Sequence, residues 1–437
     1  VTEYAGVCTM QIGVIYNAGR NADIEGDVIA VLGCKPASKI KEYYGGAQNA
    51  NVKGNVELTI TSGNFGKVFA GNKTSGSIFG HIKINIEETG NCDVPIRIDE
   101  LYGCGNEAAY SVYGYYQAKK KEVTKTVEGQ SVTSLFMDVD GTIPLYEDGG
   151  NYYKDEGKTI RLYKDGSDNL YINEEMTRPL YMPRRSANDS NAPVAFPDIN
   201  SNTVLTLLEG KTDEYSQYDA PEVNIISCTH IGKVFGGGYG TGAVVYGDPH
   251  VNINMIQGSN SSNITNTDGN NPNKLGAIGD VYGGGNEADI VGNTYVNICT
   301  ETAVDLVSTG QTNQPVLGAY ITGSVYGGGR GKADSFTCSK AMVGEDGKGV
   351  NADFTDNPNY HYGNTHVTIG NGTICGNVYG GGEIGRVEKN TWVTIGVDNL
   401  GVGKTSAPII KGDVFGGGKG QKTHGYAALV RGNPTVT

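Results

Sequence analysis

The fold turns on one stretch: Val281-Tyr282-Gly283-Gly284-Gly285-Asn286-Glu287-Ala288-Asp289-Ile290-Val291-Gly292-Asn293-Thr294-Tyr295-Val296-Asn297-Ile298. Its opening phrase is an aliphatic, an aromatic and a run of glycine. The phrase recurs from Val234, Val325, Val378 and Val414. Weaker copies are Val68-Phe69-Ala70-Gly71, Leu101-Tyr102-Gly103-Cys104-Gly105, Tyr43-Tyr44-Gly45-Gly46 and Ile15-Tyr16-Asn17-Ala18-Gly19, which makes nine. The closing part recurs as well, as Gly54-Asn55-Val56-Glu57-Leu58-Thr59-Ile60 and Gly26-Asp27-Val28. A unit of this kind cannot bury its own apolar face and stacks on its neighbours.

Each unit holds three extended pieces: an alternating T-x-V-x-I segment (Thr391 to Ile395), a G-x-V-aromatic segment (Gly376 to Tyr379) and a short A-x-I/V segment (Ala288 to Ile290). Period-2 alternation of β-branched residues between Gly, Asn and Asp is the strand signal. No window carries a 3.6-residue apolar stripe. The shortest spacings between successive phrase aromatics are 25 residues (Tyr44 to Phe69) and 28 residues (Tyr16 to Tyr44). Three strands of ~5 residues and three tight turns fit that length. The fold class expected is all-β: a right-handed parallel β-helix of about nine rungs, with longer spacings absorbed as loops at the corners. The glycines serve corners that need positive φ or close backbone approach. Phe235, Tyr282, Tyr326, Tyr379 and Phe415 are expected to stack as a packing ladder at about 4.8 Å per rung.

Composition agrees. There are 67 Gly and 14 Pro in 437 residues without a triplet repeat, which excludes collagen and fits a turn-rich β protein. The net charge of -13 argues against nucleic acid and anionic membranes as partners. No apolar run approaches the ~20 residues of a membrane span. The chain starts at Val1 and stops at Thr437 inside a T-x-V-x-I-type strand, so a fragment of a longer protein, continuing beyond the chain end, is expected. Eight Cys are too few for a disulfide scaffold. Cys92 and Cys104 lie close enough in sequence to close a loop, a pairing the sequence leaves open.

The domain reading is 1–116, N-terminal rungs; 117–221, a β-rich insertion without the glycine phrase; and 222–437, C-terminal rungs. The insertion opens on the basic run Lys119-Lys120-Lys121, read as solvated surface. Thr159 to Ile172 reads as a hairpin about Lys164-Asp165-Gly166-Ser167-Asp168-Asn169. Ser131 to Val139 and Thr203 to Leu208 are strand candidates, and the Pro-rich Arg178 to Asp198 an extended surface stretch.

Four chemical signals stand out. Leu135-Phe136-Met137-Asp138-Val139-Asp140-Gly141-Thr142-Ile143 matches the nucleophile motif of haloacid-dehalogenase-like phosphatases. In that family the first Asp attacks phosphorus and the second acts as acid/base, with Mg²⁺ neutralising the phosphate. The insertion offers no doubly wound α/β context, so the match is read as coincidence. Gly236 to Gly242 and Gly416 to Thr423 resemble phosphate loops, but neither fits G-x-x-x-x-G-K-[ST] nor opens a helix. Gly283 to Asp289 matches part of a calcium roll. The position after the triple glycine holds Tyr239, Asn286, Arg330, Glu383 and Lys419, a charge mixture no repeated ion site accepts.

The fourth signal is the outward side of the T-x-V-x-I segments. With Val and Ile inward, one outward row reads Glu222, His250, Tyr295, His366, Trp392, and the next reads Asn224, Asn252, Asn297, Thr368, Thr394. Rings beside amides and hydroxyls suit sugar stacking with hydrogen bonds. His250, Tyr295, His366 and Trp392 are the candidate ligand-binding residues. No metal site is expected, since His250 and His366 fall two rungs, ~10 Å, apart. No cofactor is expected, and no catalytic residue is assigned.

The phrase V-Y-G-G-G followed by G-N-T-x-V-x-I resembles the glycine-rich repeats of large adhesin-like surface or secreted proteins of gut bacteria, especially Bacteroidetes. The resemblance covers the chain outside 117–221 and implies an extracellular or cell-surface setting. The function expected is a structural or adhesive repeat protein, non-catalytic, that binds a glycan or a surface protein on a sheet face, with end-to-end contact to further repeats. The alternative is a polysaccharide-active β-helix enzyme, a lyase or glycoside hydrolase, which needs carboxylates on adjacent rungs within one groove. Asp280 and Asp413 share a repeat position that Ser324 and Asn377 interrupt.

Overall fold

The computed structural model describes residues 12–34, 39–52, 54–78, 80–88, 92–111, 115–127, 130–137, 144–176, 180–183, 221–265, 271–332, 341–353, 355–358, 360, 362–397 and 407–437. It is all-β with long parallel sheets. Among the described residues the helical element is a single 3-10 turn, Ser261–Asn263. The chain divides into two compact units, Val1–Tyr110 with Asp219–Thr437, and Ser111–Tyr218.

In the first unit the T-x-V-x-I segments form one nine-stranded parallel sheet in chain order. Its strands are Val28–Leu32, Val56–Ile60, Ile82–Glu87, Glu222–Ser227, His250–Ile253, Thr294–Ile298, Thr365–Ile369, Thr391–Ile395 and Pro434–Val436. The four strands beginning at His250, Thr294, Thr365 and Thr391 lie side by side in register, Val251 against Val296, Val367 and Val393. The inward alternate residues are buried almost completely, as at Val296, Ile298, Val367, Ile369 and Val393. Each such side chain contributes about 1.5–3 kcal/mol relative to exposure.

The aromatic phrases form a second parallel sheet whose strands alternate along the chain with those of the first. It runs through Val14–Tyr16, Lys39–Tyr44, Asn64–Phe69, Arg97–Tyr102, His230–Phe235 and Ala277–Tyr282. From there each strand is split in two, as in Tyr320–Ile321 and Val325–Tyr326. The split has a sequence cause. Tyr320 to Tyr326 holds one residue more than Ala277 to Tyr282 between positions that pair, so the ladder breaks at the extra residue. The A-x-I/V pieces make a third line of parallel bridges, Ile24 to Val52 to Ile78, and Val245 to Ile290 to Val343 to Val387 to Val430.

The expected aromatic ladder is present and longer than its strong copies. Tyr16, Tyr44, Phe69, Tyr102, Phe235, Tyr282, Tyr326, Tyr379 and Phe415 stack with centroids 4.7–5.1 Å apart. The rings from Tyr44 to Tyr379 are buried, so this ladder is core. Tyr hydroxyls at its edge find polar partners: Asn286 Nδ2 donates to Tyr102 (3.0 Å), and Tyr282 donates to Glu383 (2.7 Å). Glu383 also meets Lys419 at 3.0 Å and Arg330 at 3.8 Å. At the position after the triple glycines, Arg330, Glu383 and Lys419 therefore form an ion ladder between repeats, while Asn286 serves the Tyr102 hydroxyl.

The phrase glycines answer close approach rather than left-handed backbone. A Cβ on Gly327 would lie 2.2 Å from the Gly380 carbonyl oxygen and 3.0 Å from Thr365 Cβ. The buried threonines complete this contact. Thr294, Thr365 and Thr391 donate to the carbonyls of Gly327 (2.6 Å), Gly380 (2.6 Å) and Gly416 (2.5 Å).

Asn and Asp occupy the corners for a shared reason. Asp248 Oδ1 accepts the Asn293 N–H (2.8 Å), Asn293 the Asn364 N–H (3.0 Å), Asn364 the Asn390 N–H (3.2 Å) and Asn390 the Asn433 N–H (2.8 Å). Each side chain supplies one acceptor to the repeat above, satisfying a backbone donor outside the sheets. Asp23, Asn51 and Asp289 do the same beside the bridge line.

Cysteine pairing differs from the loop closure left open above. Cys34 bonds Cys92, while Cys104 is a free, buried thiol that burial pushes up to about 12.

The second unit is antiparallel. Lys121–Val127 pairs Gln130–Phe136, and Tyr146–Asp148, Asn151–Tyr153, Arg161–Lys164 and Leu170–Tyr171 form a four-stranded sheet. The hairpin about Asp165 is as expected: Asp165 accepts the Ser167 and Asn169 N–H groups and the Tyr171 hydroxyl. Ala118, Met137, Leu145, Leu162, Leu170 and Leu180 form its core. Within the basic run Lys119 is exposed, but Lys120 pairs with Glu122 (2.7 Å) and lies over the Tyr152 ring. The strand expected at 203–208 and most of 178–198 fall outside the described residues.

Candidate binding face

The outward side of the first sheet brings the four ring residues together. Register aligns Glu222, His250, Tyr295, His366, Trp392 and Thr435 in one row. Ring centroids are 4.3 Å apart for His250 and Tyr295, 4.8 Å for Tyr295 and His366, and 4.7 Å for His366 and Trp392. The planes agree within 4–8°. All four residues are half-buried.

This geometry changes what the row can do. A pyranose stacks on a ring face, yet the faces inside this row cover one another. The rings lie face to face across the strands, so their edges rather than their faces are left to a ligand. Beside Trp392, the end ring of the stack, the next position is the small Thr435, which leaves a step. The sandwich also sets the protonation of its imidazole. Burial, and secondarily the neighbouring His250, bring His366 down to about 4, so it is neutral at pH 7. At the other end His250 Nδ1 is 2.8 Å from the Asp248 carbonyl oxygen.

The parallel row is a hydrogen-bonded amide ladder. Asn224 Nδ2 donates to Asn85 (3.0 Å), Asn252 to Asn224 (3.0 Å) and Asn297 to Asn252 (2.9 Å). It passes into Thr368 and Thr394, in register with Asn297. Asn224 also donates to Glu222 (2.9 Å), while Asn224 and Asn252 each both donate and accept along the ladder and Asn297 donates at its end.

The remaining sequence signals separate clearly. Asp280, Ser324, Asn377 and Asp413 form another corner ladder: Asp280 accepts the Ser324 N–H (2.9 Å), Ser324 the Asn377 N–H (3.1 Å) and Asn377 the Asp413 N–H (2.8 Å). Any side chain with an oxygen at this reach suffices, which accounts for the mixture. Asp138 and Asp140 lie outside the described residues. The strand leading to them, Gln130–Phe136, belongs to a two-stranded antiparallel hairpin. Among the described residues no cluster of His, Cys, Asp and Glu suits a metal ion, and no helix is long and apolar enough to cross a membrane.

Comparison with protein-family models, with curated proteins and with solved structures gave no match.

Proposed function

We propose that the first unit is a right-handed parallel β-helix of about nine rungs, and that it is a non-catalytic adhesive repeat protein that holds a glycan on the outward face of its first sheet. Support for the solenoid comes from strands that alternate between two in-register parallel sheets and a third line of bridges. The observation that carries the binding reading is the half-exposed ring row beside the amide and hydroxyl ladder. Such a surface offers hydrogen-bonding groups about every 4.8 Å and one indole face beside a step. An extracellular or cell-surface setting is supported by the Cys34–Cys92 disulfide, since such bonds persist in oxidising compartments.

A glycan array tests this reading. Neutral oligosaccharides should bind, and Trp392→Ala, which stays folded with only the small loss of stability of one ring contact, should weaken them. A reducing-end release assay separates the alternative: accumulation of reducing ends would make the protein a polysaccharide-active enzyme. Absence of binding, or equal binding by Trp392→Ala, would remove the ring row from the function.

A further inference from the structure

The second sheet carries a groove that the ring row does not touch. Its volume is about 740 Å³, within the range of ligand sites, and it runs across the strands Lys39–Tyr44, Asn64–Phe69, Arg97–Tyr102 and His230–Phe235. The floor has a sequence cause. Each strand bends at its third position, where two consecutive side chains face outward. Gly66 and Gly232 fill that position on alternate strands, and a Cβ on either would lie 2.5 Å from the carbonyl of Lys41 or Asp99. The floor is thus bare backbone between longer side chains.

The walls are charged, and their pairing is uneven. Lys39 pairs with Asp99, Lys67 with Glu100 (3.1 Å) and Lys73 with Glu42 (2.9 Å). These contacts occupy all three carboxylates of the lining. Two lining ammonium groups, Lys41 and Lys233, make no ion pair among the described residues. They stand three strands apart and one residue out of register, since Lys233 aligns through Glu100 and Lys67 with Glu42; at about 4.8 Å per strand that is ~15 Å. In a chain of net charge -13, this is a local surplus of positive charge inside a concavity. The one ring in its lining is the half-buried His230 imidazole. An occupant would therefore be held by charge and hydrogen bonds, along a track rather than at a point.

We propose that this groove binds an extended acidic glycan, with Lys41 and Lys233 each meeting one of its carboxylate or sulfate groups while the glycine floor admits the sugar backbone. The paired residues Lys39–Asp99 and Lys67–Glu100 act as its fixed polar rim. Charge recognition of this kind is separable from the ring row on the other sheet.

Affinity electrophoresis of the whole chain through gels holding polygalacturonate, heparin or neutral dextran tests it. Retardation by at least one acidic polymer is expected, and none by dextran once Trp392→Ala has removed the ring row's contribution; which acidic polymer retards identifies the anion as carboxylate or sulfate. The retardation should fade as salt is raised to ~0.5 M, where exposed charges are screened. Lys41→Gln with Lys233→Gln should weaken it by about tenfold or more. Both side chains lie on the groove surface, so the melting temperature of this variant should stay unchanged, while Trp392→Ala should migrate as wild type. Failure of both acidic polymers to retard the chain would overturn the proposal, as would equal retardation of the double variant or, with Trp392→Ala, equal retardation by dextran. Loss of retardation in Trp392→Ala would assign the binding to the ring row instead.

Discussion

Thr365→Val isolates the contact that ties the two sheets together. Thr365 is fully buried, and its hydroxyl donates to the Gly380 carbonyl at 2.6 Å. That carbonyl takes no backbone N–H among the described residues, because its neighbours in the glycine phrase direct their amides to Phe415, Gly417 and Tyr379 instead. Valine has nearly the same volume and shape as threonine, so the exchange leaves packing intact. It strips the one donor from a buried carbonyl, and valine cannot replace it. Leaving a buried polar group unsatisfied costs about 1–3 kcal/mol. Thr368→Val provides the control: the same chemistry on the same strand, but on the half-exposed face, where a change within about 0.5 kcal/mol is expected. Urea unfolding of the two variants, with midpoints compared at equal slope, gives the difference. A Thr365→Val protein as stable as Thr368→Val would show that the glycine carbonyls do not need the threonines. The pairing of buried threonines with phrase-glycine carbonyls would then be a matter of shape alone.

Other outcomes follow from the same geometry. Val393, 1% exposed in the inward stack, should not accept Asp: an unpaired carboxylate there should lower the melting temperature severely or prevent folding. For His366 the folded pKa of about 4 lies below its ordinary 6.5, so the neutral form is the one folding favours. Its contribution is complete above pH 6.5 and is lost as pH falls towards 4, amounting to up to ~3 kcal/mol; His366→Phe, which keeps the stack without a titrating group, should flatten that part of the stability–pH curve. Tyr295→Ala should cost ~1–3 kcal/mol by removing two ring contacts, whereas Trp392→Ala removes one, a difference read by thermal melting. Asp138→Asn should leave the protein unchanged, and no Mg²⁺-dependent hydrolysis of a generic phosphate ester should be measurable before or after it.

Much of the scaffold was legible because its signals repeat. Strand alternation, the aromatic register and the glycine positions could be read from Val281 to Ile298 and recognised elsewhere, weak copies included. Position by position, however, several reasons lay beyond one dimension. Asp280, Ser324, Asn377 and Asp413 look like an interrupted carboxylate row in sequence. In space they are a ladder in which only an oxygen at the right reach matters. The disulfide joins Cys34 to Cys92, fifty-eight residues apart, and not the nearer Cys104, because stacking brings distant corners together. The ring row was legible in order but not in orientation. Sequence spacing places His250, Tyr295, His366 and Trp392 over one another, yet it does not show that their faces are spent on each other. The groove was missed altogether. Its signal was present as G-K-V-F at Gly66 and Gly232, where the glycine before the charged residue marks a bend.

That contrast shows where function can reside in a molecule of this kind. Inward rows, phrase glycines and corner oxygens answer to the repeat above and below, so each position admits few residue types: Val or Ile in the stack, Gly at the close approach, Asn, Asp or Ser at the corner. Outward rows carry no such requirement. The row from Ile29 through Glu57, Lys83 and Glu222 to the rings changes from apolar to charged to aromatic while the inward row beside it stays aliphatic. The second sheet changes likewise, from Glu42, Lys67, Glu100 and Lys233 in the first strands to Asp280, Ser324 and Asn377 later. Segregation of chemistry along an otherwise uniform sheet is not required for stacking, since any polar residue would keep the face wet. The rings collect at one end of the first sheet and the lysines at the other end of the second. If both faces bind, they should do so independently, and the double Lys variant and Trp392→Ala should each weaken one class of ligand while sparing the other.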